Sequence, residues 1–301
     1  MNIVPGDHSL GATVHDLDLS QPLTPANRQS IIEALARHGV LRFPQQMLTA
    51  RQQFDFSGHF GTLEENVAGM FQEPGLPQVM VLSNIIRDGK PLGIADAGQG
   101  WHTDMSYSAT VAYANVLYAI EVPHRDGRPL GSTQFGDMAA AFDTLPEDIK
   151  RRIIGRTATH DFAKFWDMMR NERGSTRPPL SDAQRRTKPP VSHPLVLVHP
   201  VSGQRVLYAN PGYAMWIDGM DRAESDELLE FLFRHQTDSR FIYTFEWSRG
   251  DVLMWDNLRT IHQALADYRA DEPRLIKRCQ VMADRILTNG RTDRHAFAAS
   301  A

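Results

Sequence analysis

Short apolar runs that end at glycine, proline or polar turns recur along this chain, and they limit its fold more than any other feature. The segments 40–44 (VLRFP), 79–84 (VMVLSN) and 114–123 (ANVLYAIEVP) have the length and the β-branched and aromatic content of strands. Similar runs follow at 194–210, 240–257 and 274–284. Because the predicted helices cluster near the start of the chain, the pattern argues against a βαβ sheet. The pattern predicts a mainly β fold with flanking helices.

Two flanking helices near the start of the chain carry clear local signals. Thr24 and Pro25 are suited to the N-cap and first position of a helix, and Gly39 is suited to its end. Thr49 and Gln52 have the spacing of a capping box, which predicts the start of a second helix.

The segment 160–193 differs from its surroundings because it is rich in charge and proline and begins with an aromatic–methionine cluster. Long insertions of this kind are often functional lids. A chain of 301 residues can form one large domain with a sizeable core. We therefore expect a single domain over residues 1–301, with a lid-like insertion at about 160–193.

Charge and cysteine content restrict the partners and the compartment. The net charge of −4 and the absence of a Lys/Arg-rich run argue against a nucleic-acid partner. No apolar stretch approaches the roughly 20 residues that a membrane span needs. Cys279 is the only cysteine, so no intramolecular disulfide can form, and the N-terminal segment lacks the features of a signal peptide. We expect a cytoplasmic protein with no membrane partner.

The segment WHTDMSY (101–107) places His102 and Asp104 two residues apart. On a strand, side chains at this spacing point to the same face and could bind one metal ion. With one more histidine they would form the two-His, one-carboxylate set that is typical of non-haem Fe(II) oxygenases. The chain has 12 histidines, so chance could also supply such a pair.

A second His-x-Asp triplet, His124-Arg125-Asp126, lies among glycines and prolines in VPHRDGRPLG. This context predicts a turn with exposed side chains. The triplet also matches the catalytic loop of protein kinases, but the chain lacks a glycine-rich loop and the downstream asparagine that a kinase needs.

The C-terminal region offers the missing ligand. The segment GDVLMWDNLRTIHQALADY (250–268) predicts a strand followed by a loop that carries His262. Arg274 opens the next predicted strand, and its fork of donors fits the carboxylate of a dicarboxylate cosubstrate. Arg278 shares the face of Arg274 on that strand. The alternative for both arginines is a solvated edge strand.

Taken in order, the motifs WHTDMSY, GDVLMWDNLRTIHQALADY and RLIKR (274–278) resemble the taurine dioxygenase / 2,4-dichlorophenoxyacetate dioxygenase family, which uses Fe(II) and 2-oxoglutarate. The resemblance extends over about residues 5–285. It implies a double-stranded β-helix, or jelly-roll, core. It also favours a homo-oligomer, although no segment of the chain demonstrates one.

The resemblance implies a role for six residues of this sequence. His102, Asp104 and His262 match the iron ligands. Arg274 and Thr133 match the residues that bind the distal carboxylate of 2-oxoglutarate. The remaining match, Arg278, implies binding of an acidic group on the primary substrate.

Four further residues are candidates for the wall of the substrate pocket or its lid, with ordinary packing as the alternative for each: Asn84, Phe162, Phe165 and Trp166.

The implied reaction is hydroxylation of a small organic anion, a carboxylate, sulfonate or sulfate, coupled to conversion of 2-oxoglutarate and O2 to succinate and CO2. Asp104 favours hydroxylation over halogenation, because related halogenases carry a small residue there. The same oxidant could instead drive desaturation, epimerisation or cyclisation. Two other classes stay open: a non-catalytic barrel that binds a small acid, and a zinc hydrolase, although the chain lacks an H-E-x-x-H site.

Overall fold

The computed structural model describes residues 1–65, 71–175, 178–287 and 291–292. Within these ranges the helices are α1 (Pro25–His38), α2 (Ala50–Gly58), α3 (Met138–Asp143), α4 (Glu147–Ile153), α5 (Phe162–Glu172), α6 (Asp182–Thr187) and α7 (Arg222–Gln236). The strands are β1 (Asn2–Pro5), β2 (Ala12–His15), β3 (Val40–Phe43), β4 (Gln72–Glu73), β5 (Leu76–Ser83), β6 (Ile86–Arg87), β7 (Lys90–Pro91), β8 (Ala112–Glu121), β9 (His124–Arg125), β10 (Arg128–Pro129), β11 (Thr133–Asp137), β12 (Thr157–His160), β13 (Val191–Pro194), β14 (Val196–Val198), β15 (Arg205–Leu207), β16 (Ala214–Ile217), β17 (Ile242–Phe245), β18 (Val252–Asp256), β19 (Thr260–Ala264) and β20 (Leu275–Met282).

The largest sheet has eight strands in the order β1-β2-β3-β18-β8-β20-β5-β4. Its pairs are antiparallel except for β2 and β3. Side chains alternate between its two faces, as the pleat requires. Along β18, Val252 and Met254 join one buried cluster, whereas Leu253 and Trp255 join another. The sheet is therefore buried on both sides.

A three-stranded sheet in the order β17-β11-β19 covers one face of the large sheet. Phe135 of β11 and Phe245 of β17 share a buried cluster with Leu253 and Trp255. Two sheets that pack face to face around such a cluster form a β-sandwich. The prediction of a mainly β fold with a jelly-roll core is confirmed.

Helices α1 and α2 cover the opposite face, where Ile31, Leu35 and Phe56 pack on the large sheet. Both predicted start signals are confirmed. The Thr24 side chain accepts a hydrogen bond from the backbone N–H of Asn27, and both bonds of the capping box at the start of α2 are present.

The predicted insertion, at about 160–193, connects two strands that pair with each other. Strand β12 pairs with β13, with His160 opposite Val191, and the chain between them carries α5 and α6. Residues 176–177 of the insertion lie outside the described residues.

Two local predictions near the candidate ligands are wrong. His262 does not lie in a loop but in the middle of β19, which pairs with β11. Only His102 of the first pair has strand pairing, in an isolated bridge to His262, and the following residues form a turn that includes Asp104. The second triplet is confirmed as a turn, because Asp126 and Gly127 connect β9 to β10 and His124 is exposed.

None of the described helices combines the length and the apolar character of a membrane span.

Arg259 joins α1 to α3 through buried contacts. Its Nη1 donates to the carbonyl oxygens of Ala36 at 2.8 Å and Arg37 at 2.9 Å. Its Nη2 lies 3.1 Å from Oδ2 of Asp137, the residue that caps α3. The side chains of Arg259 and Asp137 are 6% and 1% exposed, so this ion pair is buried.

We expect Arg259→Ala to lower the free energy of unfolding by about 3 kcal/mol, because it leaves a buried carboxylate without its partner. The measurement is urea-induced unfolding. Arg234→Ala, which removes the exposed pair with Glu230, is the control and should cost no more than about 0.5 kcal/mol. Similar losses for both variants would contradict a structural role of the buried pair.

Candidate active site

A reciprocal backbone bridge brings His102 and His262 together. The N–H of His102 donates to the carbonyl oxygen of His262 at 3.0 Å, and the N–H of His262 donates to that of His102 at 2.9 Å. The ring centroids of the two imidazoles lie 4.3 Å apart. The bridge therefore places the two imidazoles next to each other.

Asp104 completes the cluster from the turn that follows His102, where Met105 has a positive φ of 60°. Its Oδ1 lies 3.5 Å from Nε2 of His102, and its Oδ2 lies 3.7 Å from Nε2 of His262. One ligand atom from each of the three buried residues lies within 4.8 Å of the others. In the part of the chain that the structure describes, this is the only such group of three His, Cys or acidic residues.

Hydrogen bonding fixes the orientation of the His102 ring. Its Nδ1 lies 2.8 Å from the carbonyl oxygen of Gly100. A carbonyl can only accept, so Nδ1 carries a proton, and Nε2 faces Asp104. Nε2 is therefore the ring nitrogen that is placed to bind a metal.

Opposing electrostatic effects act on the Asp104 carboxylate. Burial alone would raise its pKa, but the Arg278 guanidinium and the two histidines outweigh burial and hold the pKa well below its usual range. Nη1 of Arg278 lies 3.3 Å from Oδ2 of Asp104. Burial, and then the neighbouring His102, lower the pKa of His262, which keeps that imidazole neutral. The cluster thus combines the anionic oxygen of Asp104 with the neutral imidazole of His262.

A buried amide network, which the sequence analysis missed, supports Asp104. Asn115 Nδ2 donates to Asp104 Oδ2 at 3.0 Å and also lies 3.1 Å from Oδ1 of Asn257. Gln280 Nε2 donates to Oδ1 of Asn115 at 3.2 Å. The available signal was a lone amide in the apolar run ANVLYAIEVP, because a buried amide needs partners.

Two of the three candidate ligands, His102 and His262, border a cavity whose lining does not include Asp104. Its lining combines apolar side chains with a few polar groups: Leu82, Ala97, Gly98, His102, Leu117, Thr133, Trp255, His262, Ala264, Arg274 and Arg278. Such a mixture is typical of small-molecule sites.

Arg274 and Thr133 face this cavity with unused hydrogen-bonding capacity. Arg274 is 6% exposed, and its Nε has no hydrogen-bond partner among the described residues. No ion pair joins its guanidinium to a carboxylate within the described ranges, and burial lowers its pKa. Thr133 Oγ1 accepts from Nε1 of Trp247 at 3.0 Å, which leaves its own proton free to donate. A buried cation and a free hydroxyl that line the same cavity fit a carboxylate ligand.

Arg278 and Asn84, the two predicted substrate residues, differ in position. Arg278 lines the cavity and its side chain is 20% exposed. Asn84 does not line it, and its amide is engaged by backbone groups of Arg269, Glu272 and Arg274. These contacts give no support to a substrate role for Asn84.

Aromatic rings enclose the histidines. The ring of Phe165, from α5, lies 4.8 Å from that of His102, and the ring of Trp255 lies 4.7 Å from that of His262. Gly212 also lies against His102, since a Cβ there would come within 2.7 Å of the His102 Cβ. The packing therefore leaves little freedom to the His102 side chain.

Comparison with known proteins gives matches over nearly the whole chain. Residues 2–280 match a family model described as taurine catabolism dioxygenase TauD, TfdA family. The alpha-ketoglutarate-dependent 2,4-dichlorophenoxyacetate dioxygenase of Burkholderia sp. (strain RASC) is 34% identical over 261 residues, which cover 83% of this chain and 84% of that protein. Pentalenolactone F synthase of Streptomyces avermitilis is 29% identical over 93% of each chain. The crystal structure of AAD-2 in complex with Mn(II) and N-oxalylglycine is 30% identical, with a TM-score of 0.77 and coverage of 93% of this chain and 98% of that one.

We expect Arg278→Met to lower the unfolding free energy of the metal-free protein at pH 7 by about 2 kcal/mol, because Asp104 would lose its cationic partner. The depressed pKa of Asp104 stabilises the wild type above the unfolded-state pKa, near 3.8, and this contribution is lost as the pH falls through the folded-state pKa. The difference in unfolding free energy between the wild type and the Arg278→Met variant should therefore become smaller below about pH 4. Urea unfolding at pH 7 and pH 3 measures this difference. Arg87→Met, which removes an exposed cation with no acidic partner among the described residues, is the control. A difference that stays constant across this range would contradict the prediction.

Proposed function

This chain belongs to the TauD/TfdA family and is an Fe(II)- and 2-oxoglutarate-dependent dioxygenase, and we propose that it hydroxylates a small organic anion in the cavity beside His102 and His262. One observation carries the proposal. A buried cluster joins two imidazoles to a carboxylate, and its imidazoles line the same cavity as Arg274, a buried cation that has no acidic partner among the described residues.

We assign His102, Asp104 and His262 as the iron ligands. Neutral nitrogens and one anionic oxygen are the donors that non-haem Fe(II) sites use, and three ligands from one side leave coordination positions open on the other. When bound, the iron supplies the O2 chemistry, in which 2-oxoglutarate is converted to succinate and CO2 as the substrate is oxidised. Gly100 holds the His102 ring, and Asn115 and Arg278 hold the Asp104 carboxylate in place.

We assign Arg274 and Thr133 to the distal carboxylate of 2-oxoglutarate. The Arg274 guanidinium would form the ion pair that it lacks within the described protein, and Thr133 would donate its hydroxyl proton. Both groups are buried, so their bonds to the cosubstrate would be protected from water.

Arg278 would bind the acidic group of the primary substrate, because it reaches the same cavity and keeps part of its side chain exposed. Leu82, Leu117 and Trp255 would pack against the apolar part of the substrate. The related 2,4-dichlorophenoxyacetate dioxygenase acts on an aryloxy carboxylate, which combines these two features. We propose a carboxylate, sulfonate or sulfate of small size.

We also propose that residues 1–301 form one catalytic domain with a lid at about 160–193. The contact of Phe165 with His102 supports the lid, because this residue of α5 reaches the candidate metal cluster. A cytoplasmic location is part of the proposal and is supported by the single, buried cysteine. A homo-oligomer stays a prediction.

The similarity to pentalenolactone F synthase favours one alternative outcome, in which the same oxidant desaturates, epimerises or cyclises its substrate. Mass spectrometry and NMR of the product together distinguish these reactions. Hydroxylation adds one oxygen atom, whereas desaturation and oxidative cyclisation both remove two hydrogen atoms and are told apart by NMR. Epimerisation leaves the mass unchanged and is also detected by NMR.

The proposed function is tested by substrate-stimulated release of succinate from 2-oxoglutarate, with Fe(II), O2 and a panel of small organic anions. We expect release to rise with at least one member of the panel. Failure of every anion, together with failure to bind iron, would favour a non-catalytic barrel. Zinc in the isolated protein, with hydrolysis in an activity screen, would favour a zinc hydrolase.

Asp104→Ala should abolish Fe(II) or Mn(II) binding while the fold stays intact, because the site loses its only anionic ligand. Calorimetric titration with Mn(II) and far-UV circular dichroism measure the two effects. Asp126→Ala, in the exposed second triplet, is the control and should bind Mn(II) normally. Normal metal binding by the Asp104 variant would refute the assignment.

Arg274→Ala and Arg278→Ala should separate the two ligands. We expect Arg274→Ala to weaken 2-oxoglutarate binding by about 30-fold or more, since a buried ion pair is lost, with a smaller effect on the primary substrate. Arg278→Ala should instead weaken binding of the primary substrate more than binding of 2-oxoglutarate. The measurement is the KM for 2-oxoglutarate and for the primary substrate in each variant, from succinate release. If Arg274→Ala mainly affected the primary substrate and Arg278→Ala mainly affected 2-oxoglutarate, the two roles would be reversed.

A further inference from the structure

Two hairpins of this protein share nearly the same sequence but differ in their contacts. Strands β6 and β7 belong to the segment IRDGKPLG (86–93), and β9 and β10 belong to HRDGRPLG (124–131). Both hairpins turn at an Asp-Gly pair with positive φ, 51° and 73° in the first and 51° and 77° in the second. This is the turn that two-residue hairpins favour. The matching arginines are Arg87 and Arg125.

Only the second arginine has an acidic partner in the described chain. Arg87 is exposed and forms no ion pair with any described residue. Arg125 donates from Nε to Oε1 of Glu272 at 2.7 Å and from Nη2 to Oε2 at 2.6 Å. A two-pronged bond of this kind fixes orientation as well as distance.

Glu272 is more buried and accepts more hydrogen bonds than a typical surface carboxylate. Its side chain is 8% exposed, and its Oε2 also accepts from the backbone N–H of Arg269 at 2.7 Å. The Arg125 hydrogen bond, followed by the one from Arg269, lowers the pKa of Glu272 to about 2. The carboxylate is thus ionised at any physiological pH.

This ion pair connects the two segments that lead to the proposed cosubstrate residues. The hairpin β9–β10 runs into Thr133, and the loop 265–273 runs into Arg274. Two more bonds join the same segments: Gly131 N–H to Asp267 Oδ1 at 2.7 Å, and Leu265 N–H to the Ser132 carbonyl at 2.9 Å.

Asn84 holds the loop from its other side. Its Nδ2 donates to the carbonyl oxygen of Glu272 at 2.9 Å, and its Oδ1 accepts from the N–H of Arg274 at 2.8 Å. Ser83 Oγ donates to the Arg274 carbonyl at 2.7 Å. Bonds from Ser83 and Asn84 therefore hold the backbone of Arg274 on one side. On the other side, the ion pair between Arg125 and Glu272 holds the loop to the hairpin β9–β10.

We propose that the ion pair between Arg125 and Glu272 is a positioning device that sets the spacing between Thr133 and Arg274 and thereby the affinity for 2-oxoglutarate. The inference rests on the proposed function of those two residues. Arg125 and Glu272 themselves do not line the cavity, so they act only through the segments that they join. Their loss should affect the dicarboxylate and leave the metal cluster unchanged.

The test is calorimetric titration of the full-length, Mn(II)-loaded protein with N-oxalylglycine, an unreactive analogue of 2-oxoglutarate. We expect Arg125→Ala to raise the Kd for the analogue at least tenfold, about 1.4 kcal/mol. The Kd for Mn(II) should stay close to wild type. The thermal unfolding midpoint should fall only slightly, because Arg125 is 40% exposed and the Arg269 guanidinium stays 3.3 Å from the Glu272 carboxylate. Arg87→Ala, the same position of the sister hairpin, is the matched control and should bind the analogue like the wild type.

A double-mutant cycle tests whether the two residues act as a unit. If they do, Arg125→Ala combined with Glu272→Ala should weaken analogue binding no more than Glu272→Ala alone. If Arg125→Ala does not fold, Arg125→Lys replaces it, with at least a threefold loss expected because lysine lacks the fork of donors.

The outcomes separate this inference from the proposed function. A wild type that binds Mn(II) but not the analogue would overturn the cosubstrate assignment, and the inference with it. A wild type that binds the analogue, together with an Arg125 variant that binds it equally well, would overturn the inference alone. Parallel losses of analogue binding, Mn(II) binding and thermal stability would indicate a general structural role and would also overturn it.

Discussion

The candidate active site depends on the backbone bridge between His102 and His262. The two residues come from distant parts of the chain, and each donates its N–H to the carbonyl of the other. These backbone hydrogen bonds fix the positions of both Cα atoms. The two imidazoles are therefore brought together by the backbone and not by side-chain contacts. His102 is then held by its bond to Gly100 and by Gly212, where a larger residue would collide with it. Asp104 needs only the short turn after His102 to join them.

Charge balance is the second constraint on this cavity. Asp104 is buried, and it remains ionised because Arg278 and the histidines outweigh the cost of removing its charge from water. Arg274 is buried as well, but the described protein gives it no counter-charge. Tyr268 lies against the Arg274 guanidinium but is not an anion. A buried cation without an anionic partner costs several kcal/mol, which an anionic ligand would offset. The charges of the described protein are thus balanced at the candidate metal cluster and unbalanced at Arg274, where the dicarboxylate is proposed to bind.

Local signals explain which parts of the fold could be predicted. The caps at Thr24 and Thr49 act within one turn of helix, so neighbouring residues are sufficient to recognise them. The long apolar strands were recognised for the same reason. Strand β19 was missed because its sequence, TIHQA, lacks an apolar run, and its place in the sheet comes from pairing with β11. The support of Asp104 by Asn115 and Gln280 was missed because it joins neighbouring strands that are far apart in sequence.

The sequence by itself determined the chemistry that this protein can offer: imidazoles and a carboxylate at ligand spacing, forked cations for carboxylates, and strands to carry them. The tertiary structure alone decided which of these groups meet. The two RDG hairpins make the distinction clear, because nearly the same residues form the same turn twice. Arg87 remains exposed, whereas Arg125 reaches the buried carboxylate of Glu272. Local sequence fixes backbone conformation within a few residues, but the partner of a side chain depends on which distant segment the fold places beside it.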